Sequence, residues 1–371
     1  MNLNVLITGG AGFIGTRLAR RLLHDGCRVG VLDNFQSSRH AGRRTLSSDI
    51  AHDVDLTVGD VRDADVFHRA LEGRDVVLHL AAETGSSHSM CDVLPFEDVN
   101  VHGTAILADA LGHRRSSVAK VIVASSRAVY GEGRYLCAEH GTVHPAVRDE
   151  VDLGAQRFEP RCPSCGETCS VLPTGEDSPT QPASFYGLTK RIQEQMLFMA
   201  ARRLGLSAWA LRYQNVYGPG QSPEDPYAGT LAYFSTLARQ GHPLEVLEDG
   251  LESRDFVHVE DVVDATAAAV HSDRPAVEPV NVGSGTRTTI VGLAERVIAE
   301  LQSESEIVIT GEFRSCDVRH AVADLRKAQR LLAFEPRRGF ASGLREFLAW
   351  SGGSVATDRA GDRNFRSPST P

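Results

Sequence analysis

The 371-residue chain has no surplus of basic residues: 48 acidic side chains face 39 basic ones, for a formal net charge of −9. A nucleic-acid partner wants a basic face, so this balance argues against one while leaving room for a local basic pocket. Long apolar runs are missing as well. The apolar N-terminus is short and broken by glycine and threonine, which excludes a membrane span there. It also lacks a basic leader and a cleavage site, so the expectation is no signal peptide, no membrane partner and a cytoplasmic location. Cysteine is sparse. Seven in such a chain read as thiols or metal ligands rather than disulfides. What is plentiful is apolar residue, 42% of the chain, ample for a core; the length suits two domains or one large α/β domain.

The run Val5-Leu6-Ile7 breaks into Thr8-Gly9-Gly10-Ala11-Gly12-Phe13-Ile14-Gly15. Glycines at 9, 12 and 15 let a backbone turn tightly, approach a pyrophosphate and pack the next helix on the strand. The spacing predicts that helix over Phe13–His24, its N-terminal N–H groups facing the phosphates. A second apolar run, Val29–Leu32, ends in Asp33. An acid about 20 residues past the glycines is where a ribose 2′-OH is held. The unit therefore predicts dinucleotide binding. Asp33 favours NAD over NADP because a 2′-phosphate would meet its charge, although Arg39 lies nearby.

Further strands are expected at Asn4–Thr8, Val54–Val58, Val76–Leu80, Val118–Ala124 and Ala208–Tyr213, with helices at Asp63–Leu71, Glu97–Leu111 and Ser184–Leu204. This alternation predicts an α/β fold, a Rossmann-type doubly wound parallel sheet. Past Gln214 the rhythm loosens, with helices at Gly229–Gln240 and Ile290–Leu301. The expected division is an NAD-binding domain over 1–212 and 252–284 and a substrate lobe over 213–251 and 285–350. The tail 351–371, rich in Gly, Ser, Asp, Arg and Pro, is expected to be disordered. Between Gly131 and Pro182 no clean period is visible.

Tyr186 and Lys190 stand four apart on the helix expected from Ser184, so phenol and ammonium share a face. A nearby ammonium favours the phenolate. The same pair also suits an ordinary surface helix. Ser126 ends the strand Lys120-Val121-Ile122-Val123-Ala124, at the carboxyl edge where doubly wound sheets bind ligands.

With these residues in view, the chain resembles an extended short-chain dehydrogenase/reductase of the nucleotide-sugar epimerase/dehydratase family, over about residues 3 to 350. The motifs that carry the resemblance are the Thr8–Gly15 loop, Gly59-Asp60-Val61, His79-Leu80-Ala81-Ala82, Asn100-Val101-His102-Gly103-Thr104, the Tyr186/Lys190 pair, Arg212-Tyr213-Gln214-Asn215-Val216-Tyr217-Gly218-Pro219, Arg254-Asp255-Phe256-Val257-His258-Val259-Glu260-Asp261 and Asn281-Val282-Gly283. The resemblance implies catalysis by Ser126, Tyr186 and Lys190. It implies an NAD site at Gly9, Gly12, Phe13, Ile14, Gly15, Asp33, Asn34, Asp60, Val61, Leu80, Ala81, Ala82, Asn100, Tyr186 and Lys190. Thr84, Ser86 and Ser126 would meet the sugar, and Asn215, Arg254 and Arg319 the diphosphate of a nucleotide-sugar substrate. It further implies a homodimer through a four-helix bundle of Glu97–Leu111 and Ser184–Leu204.

Family members that dehydrate resemble one another in an Asp-Glu pair after the catalytic Ser/Thr; here those positions are Arg127 and Ala128. That disfavours dehydration and leaves a 4-epimerase with retained NAD as the leading expectation. A decarboxylase or reductase of the same family is the nearer rival, and a non-catalytic NAD-binding scaffold the more distant one. Ser126 and Tyr186 lie 60 positions apart, farther than is typical of the family. The excess, 132–181, holds Cys137-Ala138-Glu139-His140 and Cys162-Pro163-Ser164-Cys165. Two x2 knuckles suit a structural, zinc-ribbon-like site at Cys137, His140, Cys162 and Cys165, with Cys169 and His144 as spare ligands. The resemblance implies that some relatives similar to dTDP-rhamnose 4-epimerases carry cysteine-rich inserts here.

Overall fold

A computed structural model describes residues 3–36, 40, 44–113, 117–221 and 229–352. Arg39 and the tail from residue 353 lie outside them. The first apolar run forms β1 (Asn4–Thr8), and the glycine turn leads into α1 (Phe13–His24), which buries Gly15, Leu18, Ala19 and Leu22. β2 (Arg28–Asp33) and β3 (Val54–Val58) follow. Asp63 caps α2 (Ala64–Leu71) by accepting from the Val66 N–H. After β4 (Val76–His79), the stretch expected as one helix is divided: a π-helix, Glu97–His102, runs into α3 (Gly103–Leu111). β5 (Lys120–Ser126), α4 (Phe185–Leu204), β6 (Ser207–Tyr213), α5 (Thr230–Arg239), α6 (Val259–His271), β7 (Val277–Val282), α7 (Ile290–Leu301) and α8 (Phe340–Ser351) complete the larger elements.

The seven strands form one sheet in the order β3-β2-β1-β4-β5-β6-β7, every pair parallel. The order runs outward both ways from β1, so the crevice of a doubly wound sheet opens between β1 and β4. Helices cover both faces, and each face has its own apolar layer, centred on Val5 and Ile7 on one side and Leu6 and Val77 on the other. A separate cluster around Phe234, Leu293 and Phe347 packs α5, α7 and α8 together. It lies beside two small sheets, one of Asn215–Tyr217, Ser253–His258 and Arg287–Thr289 and one of Leu244–Val246 and Ile307–Ile309.

The stretch with no visible period folds as short pieces. Tyr135–Cys137 pairs antiparallel with Gly141–Val143 and Ser170–Val171, and a single helical turn covers Glu150–Gly154. Strands of two or three residues are too short to print a period.

Candidate active site

β1 delivers its chain to the glycine turn at the open crevice. Gly9 has φ +70°, and a Cβ on it would lie 2.8 Å from the Ala81 nitrogen. A Cβ on Gly15 would lie 2.4 Å from the Gly9 carbonyl. The turn therefore needs glycine for its shape and for the approach of α1. Gly12 is the N-cap of α1 and provides no capping side chain, so the helix N-terminus presents its backbone donors to the crevice, a fit for phosphate. Phe13 and Ile14 open that helix.

Asp33 is buried, accepts from the Ala11 N–H at 3.0 Å and the Phe35 N–H at 2.9 Å, and meets His40 Nε2 at 3.3 Å. Burial works to raise its pKa, but these donors outweigh burial and hold the carboxyl ionised below its usual range. Its first task is to tie the glycine turn to β2. Beside it, Asn34 Nδ2 donates to Asp60 at 2.9 Å. Asp60, bonded chiefly by Arg62, is drawn down to about 2. Val61 is buried behind it. A groove of about 740 Å³ opens past this edge, lined by Asn34, Gln36, Arg62, Glu83 and Leu94 among others.

Leu80, Ala81 and Ala82 leave β4 half-buried, and the Ala81 N–H donates to Thr8 Oγ1 at 3.2 Å. Asn100 is placed differently from the expectation of a cofactor contact. It is fully buried, gives both amide protons to Glu83 O and Thr189 Oγ1 at 3.0 Å, and accepts from the Glu83 N–H at 2.8 Å. Its amide is spent on bracing the β4 loop against α4. Thr84 and Ser86 stand half-buried on that loop.

Ser184 caps α4 by accepting from the Gly187 N–H, and Tyr186 and Lys190 follow on the first two turns. The Lys190 Nζ lies 5.9 Å from the Tyr186 ring centroid and donates to the Ala124 carbonyl at 2.9 Å, which anchors it under the end of β5. Burial pushes its ammonium down to about 7. Ser126 ends β5 and accepts from the Ala128 N–H at 3.2 Å. A Cβ on Gly187 would sit 2.5 Å from the Ala128 carbonyl, so the turn after Ser126 presses directly on the turn that carries Tyr186. The three side chains thus share one wall of the crevice. Behind them, Arg212 forms a bidentate pair with Glu194 at 2.7 and 2.9 Å and donates to Tyr130 Oη at 2.9 Å, locking α4 to β6.

On the far side Arg254 donates to Asp317 at 3.0 Å and to the Ser253 and Arg319 carbonyls. Asn215 is half-buried, and its Oδ1 is enclosed without a hydrogen-bond partner among the described residues. That orphaned acceptor is a reason to look for a ligand there. Arg319 contradicts its expected role. Its guanidinium is fully buried and held by Glu159, Glu248 and Asp249 at 2.7–2.9 Å, with no donor left over for a phosphate. Arg148, for which the sequence carries no local signal, closes the same network with a bidentate pair to Glu248 at 2.8 and 2.9 Å and an ion pair to Glu132 at 3.2 Å. Arg127 and Arg314 join Arg254 as cations whose fields reach Asp317.

The insert brings its quartet together. One ligand atom each from Cys137, His140, Cys162 and Cys165 lies within 4.8 Å of the others. Sγ of Cys137 is 3.6 Å from Sγ of Cys165, and His140 Nδ1 is 3.7 Å from both Cys137 and Cys162. The His140 and Glu139 N–H groups hold the Cys137 thiol below its ordinary value. Of the two spares, Cys169 is buried with Sγ toward the Glu167 carbonyl, and burial pushes its thiol up to about 11; His144 stands apart from the quartet.

A glycine cradle at the β1–β4 crevice, with a Tyr–Lys pair across from it, defines an enzyme of the dinucleotide-binding doubly wound class. The chain belongs to the NAD dependent epimerase/dehydratase family, whose model matches residues 5–148 and 163–283. It is 37% identical over 352 residues to a dTDP-L-rhamnose 4-epimerase of Burkholderia thailandensis, across 93% of this chain and 94% of that protein. It is 29% identical over 357 residues to a UDP-N-acetyl-alpha-D-glucosaminuronate decarboxylase of Bacillus cytotoxicus, across 94% of this chain and 98% of the relative. A UDP-glucose 4-epimerase of Thermus thermophilus, solved in complex with NAD, superposes with a TM-score of 0.74 at 27% identity, covering 95% of this chain and all of that one. No helix among the described residues is long and apolar enough to cross a membrane.

Proposed function

We propose that the protein is an NAD-dependent nucleotide-sugar 4-epimerase that works through a transient 4-keto sugar. The observation that carries this reading is the pairing of a complete Ser126–Tyr186–Lys190 wall with Arg127 and Ala128 where a dehydratase needs its carboxyl groups. A nicotinamide held here would supply the hydride acceptor and donor for sugar C4. The chain does the rest. Tyr186 takes the C4 hydroxyl proton and gives it back. Ser126, whose oxygen already accepts from Ala128, keeps its own hydrogen to donate to the developing oxygen charge. Lys190 orients the phenol and the nicotinamide ribose. The Gly9–Gly15 turn and the α1 N-terminus would hold the pyrophosphate, Asp33 the adenosine ribose, and the groove by Asn34 and Asp60 the adenine. Arg254 and Asn215 would take the substrate diphosphate.

The test is product analysis with NAD and UDP-, dTDP-, GDP- or ADP-hexoses: a C4-inverted sugar is expected, and no inversion with any of them ends the reading. Tyr186→Phe should lower turnover by about 10²–10⁴-fold and spare NAD affinity. The B. cytotoxicus relative favours a second reading, decarboxylation of a nucleotide-uronic acid, which carbon dioxide release would select.

The Cys137/His140/Cys162/Cys165 quartet is proposed to hold a structural Zn²⁺. Metal–ligand bonds of ~2.0–2.3 Å in a tetrahedron set ligand atoms about 3.3–3.8 Å apart, the range of the contacts described above. All four positions are protein, which leaves none for substrate. Metal analysis of protein purified without chelators should find one zinc per chain. A homodimer through α3 and α4 is supported by apolar residues left in the open on α4, where Met199 is 71% and Leu188 40% exposed.

A further inference from the structure

Arg127 opens the 3₁₀ turn Arg127–Tyr130, directly after Ser126, on the segment pressed against the first turn of α4. It therefore enters the crevice from the same wall as Ser126 and Tyr186. Its side chain is half-buried, yet it makes no hydrogen bond and no ion pair with any described residue. The charged or ionisable groups around it are Arg254, Asp317, Glu132 and the Tyr186 phenol. Both carboxylates are committed elsewhere: Asp317 accepts from Arg254, and Glu132 faces Arg148 and accepts from the Arg319 N–H. Burial, then the charge of Arg254, pushes the Arg127 guanidinium down to about 10, so it stays protonated at neutral pH. None of its nitrogens is sealed from solvent, so all five donors are open to an acceptor that a ligand brings. Arg254 and the Tyr186 phenol are both near enough for their charges to act on Arg127.

We propose that Arg127 binds an anionic oxygen at the sugar end of the nucleotide sugar, either of the phosphate linked to the sugar or of a carboxylate on the sugar itself. The assignment rests on the nucleotide-sugar reading above. On the phosphate, the planar fork would fix the pivot about which the keto sugar turns. On a carboxylate, it would select uronic acids. Either role explains why this position carries a cation where a dehydratase carries an acid.

The test is calorimetric binding to the NAD-loaded protein, wild type against Arg127→Met and Arg127→Lys, with UDP, dTDP, UDP-glucose, dTDP-glucose and UDP-glucuronate. Losing one charge-assisted contact should weaken binding by about 10- to 100-fold in Arg127→Met. Arg127→Lys should recover part of it, and NAD affinity should stay unchanged. Equal weakening toward the diphosphates and their sugar conjugates assigns the phosphate; weakening confined to UDP-glucuronate assigns the carboxylate. Arg127→Met that binds all five like wild type, or that loses NAD as well, overturns the assignment alone. A wild type that binds none of the five overturns the nucleotide-sugar reading, and the assignment with it.

Discussion

The two sides of the crevice are built by different means. Around Gly9–Gly15 the shape is made by backbone: missing side chains, a bare helix N-terminus and one aspartate tying the turn to β2. On the Arg254 side it is made by charge: Arg148, Arg319, Glu132, Glu159, Glu248 and Asp249 interlock, mostly out of water, and fasten the insert to the neighbourhood of Arg254. A backbone cradle suits a constant group, as the proposed pyrophosphate would be, and is intolerant of added atoms. A charge lattice sets the position of loops far apart in sequence and is intolerant of lost charges. On the proposed function, the constant ligand would meet the backbone-built side, and the sugar would meet the side expected to respond to pH and to the insert.

That contrast can be broken from either side. Arg148→Met strips Glu132 and Glu248 of a buried partner, and the expected cost is about 3–5 kcal/mol in chemical denaturation, with nucleotide-sugar affinity falling and NAD affinity kept by whatever fraction stays folded. Gly15→Ala drives a methyl into the Gly9 carbonyl and should reverse the emphasis: NAD affinity lower by about 100-fold in a titration, with a smaller loss of about 1–3 kcal/mol in denaturation. Glu252 gives the smallest effect. It is buried, its Oε2 has no hydrogen-bond partner among the described residues and lies 3.8 Å from Arg319 Nη1, and burial pushes it up to about 7 from an ordinary 4.5. Its folded form holds a proton that the unfolded chain has released, so its contribution is fully present below pH 4.5 and is lost as pH rises through 7. Glu252→Gln should gain on the wild type by roughly 1–3 kcal/mol between pH 5 and 8 in melting experiments. A flat difference would mean that the Arg254 side is not the pH-sensitive one.

The cofactor side was largely legible in the sequence because its signals are local. Strand, glycine turn, helix and Asp33 occur within thirty-three residues, and α1 and α7 have the bounds their periodicity predicts. Edges slipped by a residue where a cap was read as helix, as at Asp63, Ser184 and Gly229. The π-helix Glu97–His102 has no pattern distinct from α-helix, so it was read as part of α3. The charge lattice was illegible for another reason. Arg148 meets Glu248 a hundred positions away, and the Arg319 guanidinium meets Glu159 across 160. Nothing near Arg319 tells a phosphate-binding guanidinium from one sealed by three carboxylates. The quartet in the insert could be read, because knuckle spacing fixes two ligand pairs locally and leaves only their meeting to the fold.

The contact of Gly187 with the Ala128 carbonyl limits how this protein can be recombined. A chimera that borrows α4 from a donor with any larger residue at that place inherits the Tyr–Lys pair intact and still sets it wrongly, because the added carbon lifts the helix off the turn bearing Ser126. For anyone grafting a new sugar specificity onto this scaffold, α4 and the 3₁₀ turn are one exchangeable cassette, and the seam belongs outside both.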